Sequence, residues 1–200
     1  MNARTATRLQ RLRHERGQSM VEFAMVLPFL LVIVLGVVEV GYALLDQHVV
    51  TKMSREGANL ISRDSTLQQA ETALRSMSGR PINFANGSKA IFSVLKSGAT
   101  VGTANYGQMI LYARHQFGNL GNASQVQTAG GGGYGGPPYY AAANSDNNTG
   151  LRVTSLPNNL ISVPGGFIYV VEVYTRHELI TPFDRFGVNV PTTLYSIAFF

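Results

Sequence analysis

The sequence predicts an α+β protein in which a long amino-terminal helix packs against an antiparallel sheet of about four strands. The first observation is a helical, largely apolar periodicity from Ser19 to Ser62, in which Gly57 is the one turn signal between Leu45 and Arg63. The second is the change of pattern beyond residue 80, where short runs rich in Val, Ile, Phe and Tyr are separated by Gly and Pro. Together they indicate a helical first third followed by a sheet.

The apolar segment near the amino terminus is long enough to cross a membrane. Between Met20 and Leu45 only Glu22 and Glu39 are charged. As a helix these residues extend about 39 Å, more than the roughly 30 Å of a hydrocarbon core. We therefore expect a transmembrane helix over residues 18–45.

Three residues of this segment have chemistry that needs an explanation. Pro28 removes a backbone donor and is expected to bend the helix where neighbouring helices pack. Glu39 is expected to extend its carboxylate to water at the outer interface. Glu22 is either solvated at headgroup level or paired, because an isolated carboxylate at a membrane edge is costly.

The positive charge is concentrated before the apolar segment. The formal net charge is +5, and residues 1–17 contain five arginines and a single acid. Arginines beside a span place the amino terminus in the cytoplasm and the residues after Leu45 outside. Because the remainder is nearly balanced in charge, no nucleic-acid partner is expected.

A short motif, RGQSMVEF at residues 16–23, joins the basic leader to the apolar helix. It resembles the class III signal of type IV pilins and pseudopilins, and the pair Glu22-Phe23 is the form seen in the Tad/Flp (tight adherence) branch. The resemblance implies a cleaved leader at 1–17, with the cut between Gly17 and Gln18 made by a prepilin peptidase. It also implies that Glu22 and Phe23 serve processing and assembly.

A second stretch, MSREGAN at 53–59, resembles the ARxGAR sequence that follows the membrane helix in TadE-like minor pseudopilins. Asn59 stands where the family has its second basic residue. Gly57 is expected to allow close packing of the helix on the domain. The residues that carry the resemblance are Arg55, Glu56, Gly57 and Ala58.

The resemblance implies a structural component needed for biogenesis of the Tad/Flp pilus, and hence for adhesion and secretion. Its expected partners are the prepilin peptidase, other pilins and pseudopilins, the Tad assembly machinery of the inner membrane, and the membrane lipid. The expected location is the bacterial inner membrane, crossed once, with residues 46–200 as a periplasmic domain that either stays there or enters the pilus.

An ordinary secretory signal peptide is the alternative, since it also combines a basic start with an apolar core. Gly41-Tyr42-Ala43 would be a passable small-x-small cleavage site. On that hypothesis the chain is a secreted or single-span extracytoplasmic binding or adhesion protein.

The external domain is predicted in order along the chain. A capping box at Ser65–Gln68 begins a second helix over 66–78. Residues 121–150 lack periodicity and are rich in Gly and Asn, so we expect a flexible loop there, with Tyr134, Tyr139 and Tyr140 as candidates for touching a partner. The expected strands are Lys89–Leu95, Gln108–Gln116, Gly166–Leu179 and Thr192–Phe200.

No enzyme motif stands out in the sequence. There is no cysteine, and the four histidines do not form a pair at metal-ligand spacing. Glu172 and Glu178 fall at even spacing on one predicted strand, but a solvent-facing pair of this kind occurs often by chance. We therefore expect no catalytic residue, no metal and no cofactor.

Overall fold

The computed structural model describes residues 3–131, 133–156, 163–181 and 192–200, with side chains described from Gln18 onward. It confirms the predicted α+β architecture. The helices are α1 (Ala3–Ser62) and α2 (Leu67–Met77), and a 3-10 turn covers Thr149–Leu151. The strands are β1 (Ser88–Ser97), β2 (Met109–Gly118), β3 (Phe167–Arg176) and β4 (Thr193–Phe199).

Helix α1 is longer than the periodicity predicted at its start and ends where expected. It begins at Ala3 rather than near Ser19, and it continues through Pro28 without interruption to Ser62. The structure divides into two compact units, the first containing α1 up to Ala43 together with residues 179–181. The second contains the rest of α1, α2 and the sheet.

The sheet has the strand order β2-β1-β3-β4, and every neighbouring pair is antiparallel. Each strand lies within three residues of its predicted range. The register of β1 and β2 shifts between Val94 and Leu95, so that Tyr112 on β2 has no Cα partner on β1. This β-bulge turns the end of β2 relative to its neighbour.

One face of the sheet packs on the second half of α1 and on α2. The buried side chains of this core include Val50 and Ile61 of α1, Leu74 of α2, and Phe92 and Val171 of the sheet. The buried residues of α1 recur every three or four positions, because only one side of this half of the helix is covered.

The other face of the sheet is covered by the chain between β2 and β3. Val126 is buried there with Leu95, Leu111 and Val170. Val126 lies within residues 121–150, where the sequence predicted a flexible loop, so this segment contributes a buried side chain, and its flexibility remains a prediction.

The start of α2 differs from the sequence prediction by one residue. Thr66, not Ser65, is the N-cap, and its hydroxyl accepts from the Gln69 backbone while the Gln69 side chain accepts from Thr66 N–H. Met77, which continued the predicted apolar stripe, is exposed. The buried stripe of α2 is thus Leu67, Ala70 and Leu74.

Candidate functional site: the amino-terminal helix

The large apolar side chains of α1 between Met20 and Leu45 are exposed. Met20, Phe29 and Val37 are 77, 73 and 68% exposed, and the most apolar window of Gln18–Ser62 has no buried residue. A core helix of a water-soluble protein would be mostly buried. The helix is thus long and apolar enough to cross a membrane, and its surface is available to lipid or to other helices.

At the start of this surface, Gln18 and Glu22 contact each other. The Gln18 side-chain amide donates to the Glu22 carboxylate over 3.0 Å, and both residues are exposed. They are four residues apart, which places them one turn apart on the same side of α1. Gly17 precedes them in the same helix, and Phe23 beside Glu22 is 66% exposed.

Glu39, near the other end of the apolar segment, is buried rather than turned to water. It is 3% exposed, and its carboxylate accepts from the N–H groups of Ile180 and Thr181, the latter over 2.8 Å. The Thr181 hydroxyl donates to the same carboxylate over 2.6 Å. The expectation that Glu39 extends its carboxylate to water is therefore wrong, because residues 180–181 supply its hydrogen-bond donors.

About two turns further along α1, Asp46 and Gln47 contact residues at the end of the sheet. The Asp46 carboxylate lies 2.7 Å from Nδ1 of His177, whose side chain is 1% exposed. The side chain of Gln47 donates to the Tyr195 carbonyl over 3.0 Å. No local sequence pattern indicated these contacts, since the partners are more than a hundred residues apart.

Some residues of the stretch at 53–59 are exposed to solvent, and others pack against the sheet. Arg55 and Glu56 are exposed, and no ion pair joins them in the part of the chain that the structure describes. Gly57 and Ala58 are buried. A Cβ added at Gly57 would lie 3.0 Å from Val171 Cγ1 and 3.3 Å from Leu74 Cδ2, so the absent side chain is what lets α1 approach β3 and α2 this closely.

Glu172 and Glu178, which the sequence placed on one strand as a possible carboxylate pair, do not form a pair. Glu178 lies beyond the end of β3, is exposed and is 3.6 Å from Arg80. Glu172 is completely buried, on the face opposite α1.

Glu172 instead connects the segment after β2 to the sheet. Its carboxylate accepts from the Ser124 hydroxyl, from the Gln125 N–H over 2.7 Å and from the Tyr195 hydroxyl over 3.2 Å. Burial and the nearby Glu172 charge raise the pKa of Tyr195 above its usual range, so this phenol remains a donor. The arrangement is that of a structural anchor.

An exposed apolar helix of membrane-spanning length, followed in the chain by a small α+β domain, is consistent with a single-pass membrane protein. Compared with known proteins, the chain matches the model of the TadE-like protein family over residues 17–59. That range contains the span and the stretch at 53–59, so the resemblance inferred from the sequence is confirmed there. The match indicates a protein associated with the Tad pilus and with its other components. No curated protein and no solved structure matches the chain.

Proposed function

We propose that this chain is a minor pseudopilin of a Tad/Flp pilus, inserted in the inner membrane with its amino terminus in the cytoplasm. A prepilin peptidase cuts it after Gly17, and the helix that begins at Gln18 carries it into contact with other pilins. The observation that supports this most directly is the contact of Glu22 with Gln18 at the start of a fully exposed apolar helix.

Because the apolar helix is exposed, lipid or other helices must cover it both before and after assembly. Before assembly, lipid covers the apolar side chains between Met20 and Leu45. After assembly, the helices of neighbouring subunits take the place of lipid. The sheet domain stays outside the helix bundle, because most of its own apolar residues are already buried in two internal cores.

Glu22 has a defined part in this mechanism. Cleavage after Gly17 creates a positively charged amino group on Gln18, one turn from the Glu22 carboxylate. The carboxylate pairs with the amino group of its own chain or with that of a neighbouring subunit. An unpaired carboxylate inside a bundle is costly, so the pair favours one register between subunits.

The mature amino terminus tests the first step. We expect mass spectrometry of the membrane-extracted protein to find a chain that begins at Gln18. Gly17→Val should retain the leader, which adds roughly 2 kDa, because the peptidase site needs a small residue before the bond. Gly41→Val is the matched control, since a Cβ at Gly41 meets nothing within 4 Å.

The same measurement discriminates the alternative. A mature chain that begins at Leu44 would show that an ordinary signal peptidase cut after Ala43. The pseudopilin proposal would then be wrong, and a secreted binding protein would take its place.

A further inference from the structure

The helix-facing side of the sheet extends beyond the end of α1, and that uncovered end forms an aromatic pocket. Its volume is about 230 Å³, and it opens between the turn after α1 and the ends of β2 and β3. The residues that matter for the argument are Asp64, Thr66, Tyr112, Tyr139, Phe167 and Tyr169. We call these six residues the distal pocket.

Three separate features of the fold bring the rings of the distal pocket together. Tyr112 is the bulge residue of β2, and Phe167 and Tyr169 are alternate residues of β3 on one face. Tyr139 arrives from the segment after β2, because the Tyr112 carbonyl accepts from Ala142 N–H over 2.7 Å at the outer edge of β2. Tyr139 is 65% exposed, although it is a large aromatic residue.

Apart from the Thr66 hydroxyl, which caps α2, the polar groups of the distal pocket are available to a ligand. The hydroxyls of Tyr112, Tyr139 and Tyr169 and the carboxylate of Asp64 have no hydrogen-bond partner among the described residues. Asp64 has a φ of +60°, so the turn after α1 holds it in a conformation that only a few residue types adopt readily. An apolar surface with a few free polar groups at its rim is the usual composition of a small-ligand site.

We propose that the distal pocket binds a neutral saccharide ring. One face of a pyranose exposes C–H groups, which carry a small positive charge and are attracted to the negative face of an aromatic ring. The edge of the same ring carries hydroxyls, which pair with phenol and carboxylate oxygens. The pocket offers both surfaces side by side.

The charges around the distal pocket favour a neutral sugar over other ligands. Lys96 already places its ammonium 5.4 Å from the Tyr112 ring centroid and 6.0 Å from that of Phe167, so the position over these two rings is taken, and the sugar is expected to stack on the exposed Tyr139 ring. Asp64 at the rim repels a carboxylate-bearing sugar. A proline-rich peptide would use the rings but would leave most of the free hydroxyls without a partner.

The test uses the full-length protein in detergent micelles, with neutral oligosaccharides of glucose, galactose and N-acetylglucosamine as probes. We expect saturation-transfer NMR to show binding of at least one of them, with a dissociation constant on the order of 1 mM for a single ring. Tyr139→Ala should weaken this binding at least about fivefold. Its side chain is exposed, so the variant should remain folded.

Two further variants make the result specific. Asp64→Asn keeps the size and tolerates the positive φ, and should weaken binding about threefold or more through loss of a charged acceptor. Tyr106→Ala removes an exposed tyrosine outside the distal pocket and should leave binding unchanged. Equal loss in Tyr106→Ala and Tyr139→Ala would overturn the proposal, as would absence of binding to every probe.

A hexaproline peptide serves as the competing probe. Binding of this peptide with no binding of the sugars would show that the distal pocket is a peptide groove, which contradicts the proposal. None of these outcomes depends on whether the chain is cleaved after Gly17 or enters a pilus, so the two proposals fail separately.

Discussion

Glu22 and Glu39 lie on the same helix about five turns apart, and they differ in where their hydrogen-bond donors come from. Glu39 is buried and takes donors from residues 180–181 of its own chain. Glu22 is exposed, and its one described donor is the neighbouring Gln18 side chain. A carboxylate whose hydrogen bonds are made within its own chain cannot easily bind a second subunit. An exposed carboxylate can pair with a group of a neighbouring subunit and so connect the two.

The sharpest test of this comparison is Glu22→Gln, which keeps the size and removes the charge. A buried charge pair that loses one partner is destabilised by about 3–5 kcal/mol, so subunit assembly should fail. On the proposed mechanism the peptidase recognises mainly Gly17, so we expect the variant still to be cut there and to remain in the membrane. Electron microscopy of cells that carry only this copy should show few or no pili.

The matched control for that experiment is Glu56→Gln, which changes an exposed carboxylate on the same helix. It should leave piliation intact. Normal piliation with Glu22→Gln would mean that Glu22 is a solvated residue at the membrane edge, and the comparison with Glu39 would lose its functional meaning.

Glu39→Gln should have a smaller, local effect. The amide has one acceptor oxygen and brings its own donors toward the N–H groups of Ile180 and Thr181, which costs about 1–3 kcal/mol. We expect faster hydrogen exchange at the Thr181 amide, by roughly tenfold or more in detergent. Unchanged exchange at Thr181 would show that Glu39 does not hold this segment. Pilus assembly should be less sensitive to this variant than to Glu22→Gln.

A change at Glu71 on α2 is expected to have the smallest effect on stability, and it extends the comparison of carboxylates to the sheet domain. It contacts His115 over 2.5 Å and Arg75 over 2.7 Å. Burial alone would raise its pKa, but hydrogen bonds and charge from His115 and Arg75 lower the pKa below its usual value of 4.5. The resulting stabilisation is present above that value and is lost as the pH falls through the lowered pKa.

Thermal unfolding of the full-length protein in detergent should therefore be more favourable, with a lower midpoint temperature, at pH 3 than at pH 5. The Glu71 contribution is on the order of 1 kcal/mol or less after solvent screening, so Glu71→Gln should flatten this part of the pH profile slightly. Glu178→Gln, which changes an exposed carboxylate, should not alter the profile.

The sequence was sufficient for the elements and insufficient for the contacts between them. Periodicity predicted α1 to Ser62 and all four strands, because it reports which sides of a local segment are apolar. It did not predict the burial of Glu39, since its donors lie 141 and 142 residues later in the chain. Composition likewise gave no sign that Glu172 anchors the segment around Ser124.

The amino-terminal segment was the part that the sequence predicted best, for a related reason. The residues from Gly17 to Phe23 are adjacent in sequence, so a short motif was enough to indicate the TadE-like resemblance, which the family match confirms over residues 17–59. The distal pocket was not readable, because its rings come from β2, β3 and the segment between them. The sequence indicated only that Tyr139 is a candidate for touching a partner.

The long reach of the contacts on α1 also sets a timetable for biosynthesis. Gln47 and Ser54 hydrogen-bond to Tyr195 and Ser196, which are made 148 and 142 residues later. At a synthesis rate of about 5–20 residues per second, the second half of α1 waits on the order of ten seconds for β4. During that interval its apolar stripe has no sheet to cover it, so a newly made chain offers this stripe to chaperones until β4 is in place.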